Sequence, residues 1–273
     1  MKKIINIITV INLITILGCR EKQTEPTLND EEILKQMINE SEFFKEFDEF
    51  SEWNFITTFS DIISNFIVNW GREINNIIKD INIHIEGDSA IVTINKDVKG
   101  TLHIIATSPD TFINLSKPLH HKFTRYALFK KTDEKKWRLN KISGGESQSL
   151  DIFTVRIDSV KIEIPSINYV RVYKNPLDMI NVEDIIKLKP GDSVLVTYYT
   201  NGENSLSYIH PRPFLRRILE PYGNGIFKGK YHAPLNPGIY HVAFDVIRWE
   251  SIMTKSYPFE DANIWFFAYK VEK

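Results

Sequence analysis

The sequence predicts an α+β unit, with helices packed on a curved antiparallel sheet, followed by an all-β sandwich. Three observations predict it. Between residues 29 and 79 the apolar side chains recur at steps of three and four, which is helix spacing. From Ile81 to Ser143 they largely alternate, which is strand spacing. Beyond residue 150 helix signals nearly vanish, and short apolar runs are broken by Pro-Gly turns.

The first helix starts at Asn29-Asp30-Glu31-Glu32, where Asn29 or Asp30 caps and acids occupy the first turn. Ile33, Leu34, Met37, Ile38, Phe43, Phe44 and Phe47 carry its apolar face to about Phe50. A second helix is expected from Thr57 or Thr58 to about Lys79, on Phe59, Ile62, Ile63, Phe66, Ile67, Trp70, Ile74, Ile77 and Ile78, with Gly71 as an interruption. Ile81, Ile83 and Ile85 then alternate with Asn82, His84 and Glu86, and Gly87-Asp88 turns the chain. Ala90 to Asn95, Gly100 to Thr107, His120 to Thr132 and Lys136 to Ser143 follow as strands.

Ser143 to Ser149, with two glycines and three serines, reads as a linker between apolar strands. The plan is therefore a first domain at 29–143, a linker at 144–150 and a sandwich at 151–273. In the sandwich, Phe153 to Ile164, Tyr169 to Tyr173, Val194 to Tyr199, Gly238 to Val246 and Asn263 to Val271 read as strands. Asn201 to Asn224 reads as a long irregular loop, of a length that often carries function. Arg212, Arg216 and Arg217 with Tyr208, Phe214 and Tyr222 offer a cationic and aromatic contact for an acidic peptide, a glycan or lipid headgroups. The same residues fit a short helix laid over the sandwich with its arginines merely solvated.

Residues 1–18 have the grammar of an export signal. Lys2 and Lys3 precede a fourteen-residue apolar run, Ile4 to Leu17. That run is shorter than the ~20 apolar residues a membrane span needs. It ends in Ile16-Leu17-Gly18-Cys19, and Cys19 is the only cysteine. This end resembles the lipobox of bacterial lipoproteins. The resemblance implies cleavage before Cys19, acylation of its thiol and a tether at 19–28 leading to extracytoplasmic domains. The plainer alternative is an ordinary cleaved signal with an incidental cysteine.

Two resemblances touch the folded part. Phe123 to Lys131 and Lys136 to Ile142, with Trp137, resemble the closing hairpin of the nuclear transport factor 2-like family, which implies a cone with a ligand pocket. His84 and His103 are the nearest acid–base candidates for such a pocket, although His84 lies opposite Ile81, Ile83 and Ile85. The Pro237-Gly238-Ile239-Tyr240-His241-Val242 unit and the final aromatic strand resemble the immunoglobulin-like modules of bacterial surface proteins. Tyr240 and Trp265 are expected in that core.

With 34 basic and 35 acidic residues the charge is nearly balanced, which argues against nucleic acid. No HExxH, GxSxG or phosphate-binding glycine loop occurs, and no cofactor or metal is expected. The expected function is that of a membrane-anchored lipoprotein whose domains bind an envelope protein or glycan without catalysis. The competing expectation is a small-ligand carrier or enzyme using the first-domain cone.

Overall fold

Helix α1 (Asp30–Glu40) begins where the acidic run predicts, with Asn29 and Glu32 forming a reciprocal capping box. The computed structural model describes residues 29–45, 60–63, 66–108, 111–202, 204–212 and 215–273. The leader with Cys19, the first predicted helix beyond Lys45, and Phe214 lie outside these residues. A 3₁₀ turn at Glu42–Phe44 follows α1.

The second predicted helix is not formed. Residues 66–86 are strand β2 (Phe66–Glu86), which pairs with the short β1 (Ser60–Ile63). The misleading spacing has a local cause. The β2 register shifts between Ile74 and Asn76, so apolar side chains run Trp70, Ile74 and then Ile77, Ile81, Ile83. A bulge that changes phase within a strand imitates steps of three and four. β3 (Ser89–Ser108) and β4 (Thr111–Lys131) are 20 and 21 residues long, so strands read as separate pieces are continuous. The first half is therefore not helices packed on a sheet, and the α+β expectation and the helix-bearing cone fall with it. The only other α-helix among the described residues is α2 (Trp249–Met253).

The expected linker is also absent. β5 (Trp137–Ser149) pairs with β4 on one edge and with β16 (Ala262–Val271) on the other. Gly144 and Gly145 serve close approach rather than flexibility. A Cβ on Gly145 would sit 2.6 Å from Cζ of Phe123. The two halves of the chain thus share one sheet.

The remaining strands are β6 (Ile157–Ile164), β7 (Tyr169–Tyr173), β8 (Ile180–Asn181), β9 (Lys187–Leu188), β10 (Ser193–Thr200), β11 (Ser205–Arg212), β12 (Leu215–Ile218), β13 (Glu220–Pro221), β14 (Ile226–His232) and β15 (Gly238–Arg248). The larger sheet runs β1-β2-β3-β4-β5-β16-β15-β11-β12, with β8 on β5 and β9 on β16. The smaller runs β13-β14-β10-β6-β7.

β15 and β16 are buried on both faces. Val242, Phe244, Val246, Trp265, Phe267 and Tyr269 meet Val160, Ile162, Val194, Val196 and Tyr198 of the smaller sheet. Two sheets packed over an apolar layer are compatible with the expected sandwich. The opposite face of β15 and β16 carries Ala243, Ile247, Ile264 and Phe266, which pack with Trp70, Leu102, Val98 and Leu119 from β2, β3 and β4. That contact requires the larger sheet to curl on itself, because β2 and β15 are not neighbours in strand order. At the far end of the long strands, Leu34 and Ile38 of α1 pack on Val92, Ile94, Phe129 and Trp137.

Candidate functional site

Inside the curl lies a cluster of ionisable groups on four strands and the loop before β16, joined by two serines of β5. Arg72 reaches across from β2. Its Nη1 donates to Oδ2 of Asp245 at 2.6 Å, and its Nε donates to Oε1 of Glu260 at 2.6 Å. His210 Nε2 stands 3.2 Å from Oδ2 of Asp245. His121 stands between Ser147 and Ser149, its Nδ1 3.1 Å from Ser147 Oγ and its Nε2 3.1 Å from Ser149 Oγ. Nε2 of His121 also lies 3.5 Å from Oε2 of Glu260.

These residues are buried together. Burial raises the Asp245 carboxyl, but the adjacent Arg72 guanidinium outweighs it and holds the group well below the usual carboxylate range. Glu260 is likewise raised by burial and lowered further by Arg72. Burial pushes the His210 imidazole below its ordinary value and overrides its bond to Asp245. Burial works against the Arg72 charge, yet the two carboxylates keep its pKa above normal.

Serine, histidine and glutamate in sequence of contact are the parts of a nucleophilic relay. Access decides against that chemistry. Ser147 has no exposed surface, and the cavity beside it, lined by Arg72, His121, Ser147 and His210, is about 40 Å³. That volume suits a water molecule rather than an acyl substrate. The cluster instead ties β2, β4 and β5 to β11 and β15 across the curl.

A second buried cation acts similarly. Lys117 Nζ donates to the carbonyls of Ser251 at 2.6 Å, Thr254 at 2.8 Å and Glu250 at 3.2 Å, closing the end of α2. Burial lowers its pKa to about 8.

The segment expected as a loop holds three strands, β11, β12 and the two-residue β13. Along β11, Leu206, Tyr208 and His210 face the curl, while Ile209 faces the sandwich core. Tyr208 is fully buried and accepts a hydrogen bond at its hydroxyl from Trp70 Nε1 at 3.2 Å. Arg216 is buried too. Its guanidinium carbon lies 3.9 Å from the Trp70 ring centre, and Nη1 donates to the Trp70 carbonyl. Neither Tyr208 nor Arg216 is a surface contact. The Arg212 side chain lies outside the described set. Arg217 and Tyr222 are exposed on a groove of about 510 Å³.

The two candidate histidines are not brought together. His84 is exposed on the outer face of β2. His103 also faces outward, with Nε2 2.7 Å from Glu73 and Nδ1 3.1 Å from Ser116 Oγ. The buried cluster went unread in the sequence because its members are 188 residues apart at the widest. The one available signal was charge at inward positions, such as Arg72 between Trp70 and Ile74 and Asp245 between Phe244 and Val246. Among the described residues no group of three or more metal-ligating side chains occurs, and no helix is long and apolar enough to cross a membrane.

No family model matches the chain, and no curated protein matches it. Among solved structures, Extended-Synaptotagmin 2, in a form comprising its SMP domain and two C2 domains, is similar at 7% identity, over 89% of this chain and 99% of that chain, with a TM-score of 0.19. A score that low carries no argument about fold or function.

Proposed function

We propose that the chain is a bacterial envelope lipoprotein, held to a membrane by acyl chains on Cys19, whose β-rich body serves binding or envelope assembly rather than catalysis. The observation that carries this reading is the sequence Ile16-Leu17-Gly18-Cys19 at the end of a short apolar run, with its sole cysteine at the acceptor position. Several acyl chains hold a protein stably where one holds it marginally, at ~0.8 kcal/mol per buried CH₂. The non-catalytic half of the reading is supported by the interior. Its histidines, carboxylates and arginine bond one another around a cavity of about 40 Å³.

Metabolic labelling with an alkyne palmitate in a bacterial host tests the anchor. The expected result is a labelled, membrane-pelleting protein that starts at Cys19. Cys19→Ser is expected to lose the label and leave the membrane fraction. An unlabelled protein that still carries Met1 rejects the proposal.

A further inference from the structure

We infer that the groove on the outer face of the smaller sheet is a binding site for an anionic polysaccharide. The inference gives a ligand class to the binding role proposed above and rests on that role, not on the lipid anchor.

The geometry starts from strand register. On β14, Lys228 and Lys230 both point away from the sandwich core, because Phe227 and Tyr231 point into it. Thr197 of β10 lies opposite Lys228, and Lys161 of β6 lies opposite Thr197, so the two outer strands of this three-strand row each carry a cation. Arg217 of β12 completes the set, its Nη1 reaching the Lys230 carbonyl at 3.5 Å. Lys161 is paired with Glu163 at 3.0 Å. Among the described residues, no carboxylate forms an ion pair with Arg217, Lys228 or Lys230, although Glu220 lies opposite Lys228 in register and also lines the groove.

Two exposed tyrosines flank these charges. Tyr222 is 57% exposed, and the Lys228 ammonium sits 4.2 Å from its ring centre. Tyr199 is 38% exposed on β10. The groove lining carries four cations against two carboxylates, Glu163 and Glu220, so a net positive charge surrounds these exposed rings. The groove volume of about 510 Å³ lies within the range of small-ligand sites.

The choice of a sugar over a peptide follows from the groove floor. The floor is a sheet face, where backbone groups are already used in the β10–β14 and β10–β6 ladders. An extended peptide is recognised mainly at a strand edge, through free main-chain groups. Although β12 and β13, the end strands of the two sheets, form part of the groove wall, the floor offers side chains: flat rings for the apolar face of a sugar, ammonium and guanidinium groups for its carboxylates or phosphates.

The test is a binding titration of the full-length protein, kept in detergent. The probes are oligogalacturonate, neutral dextran oligosaccharide and poly-glutamate of matched charge. Oligogalacturonate is expected to bind with an affinity that falls as salt rises, and dextran to be silent. Each of Arg217→Glu and Lys230→Glu removes a charge-assisted contact, so each is expected to weaken binding roughly 10- to 100-fold. Tyr222→Ala is expected to weaken oligogalacturonate but not poly-glutamate. Lys174→Glu, exposed on another part of the surface, is expected to change nothing. All of these positions are exposed, so the variants fold. No binding of oligogalacturonate overturns the inference. So does equal binding of poly-glutamate, or indifference to Arg217 and Lys230. None of these outcomes bears on acylation of Cys19.

Discussion

Arg72 Nη1 lies 2.6 Å from Asp245 Oδ2, although four strands, β3, β4, β5 and β16, stand between their own strands in the larger sheet. This pair is the clasp of the curl. It is a buried ion pair, so its worth depends on every partner staying in place.

Arg72→Met is expected to leave Asp245 and Glu260 facing each other without a counter-charge. The cost is about 3–5 kcal/mol, the range for breaking a buried pair from one side. Urea denaturation checks it. A loss below about 1 kcal/mol would show that the clasp does not hold the curl.

Acid should unfold the protein in two stages. His210 faces Asp245 on β15, Arg72 on β2 and Arg216 on β12, and its pKa is below 6.5 in the fold. As pH drops past 6.5, the unfolded chain takes a proton that the folded one does not, so stability falls. Asp245 and Glu260 have depressed pKa values. Their contribution is full above the ordinary carboxylate range and is lost as pH falls through their folded values. Thermal melts between pH 8 and 3 should show both declines, and His210→Gln should abolish the first. A midpoint that is flat from pH 8 to 5 contradicts this assignment.

Glycine substitutions separate a linker from a packed strand. Gly145→Ala places its Cβ against the Phe123 ring and should cost about 1–3 kcal/mol, as overpacking does. Gly71→Ala meets nothing within 4 Å and should be neutral or stabilise by about 0.4–1 kcal/mol. Equal effects at the two sites would restore the flexible-linker view.

Lys117→Met should loosen the end of α2. Three carbonyls lose their donor, at about 1–3 kcal/mol for buried polar groups left unpaired. Hydrogen exchange over residues 249–257 should accelerate before exchange in β15. Unchanged protection there would remove Lys117 as the cap.

What the sequence made legible was local. Asn29 and Glu32 announce α1, and Tyr169–Tyr173 alternates as the strand it is. The Pro-Gly turn ahead of β15 and the aromatic run of β16 were likewise readable. What failed was phase and partner. One extra residue near Asn76 turned a strand into an apparent helix. Gly144 and Gly145 look flexible because what occupies their missing side-chain space is distant in sequence: the Phe266 and Pro176 carbonyls at Gly144 and the Phe123 ring at Gly145. Of the arginine set, only Arg217 proved open to solvent as a described side chain. Arg216 was hidden by Trp70, a partner 146 residues distant.

The order in which the chain is made bears on how the body matures. β16 follows every other described strand in sequence, yet it lies between β5 and β15. Until residues 262–271 emerge, those two strands each present a raw margin that is ready to pair with any passing segment. Assembly therefore includes an insertion at the centre rather than only additions at the rim. Such long-distance closure is slow, and the waiting intermediate is prone to clumping, so a holding chaperone should matter most just before the last strand arrives.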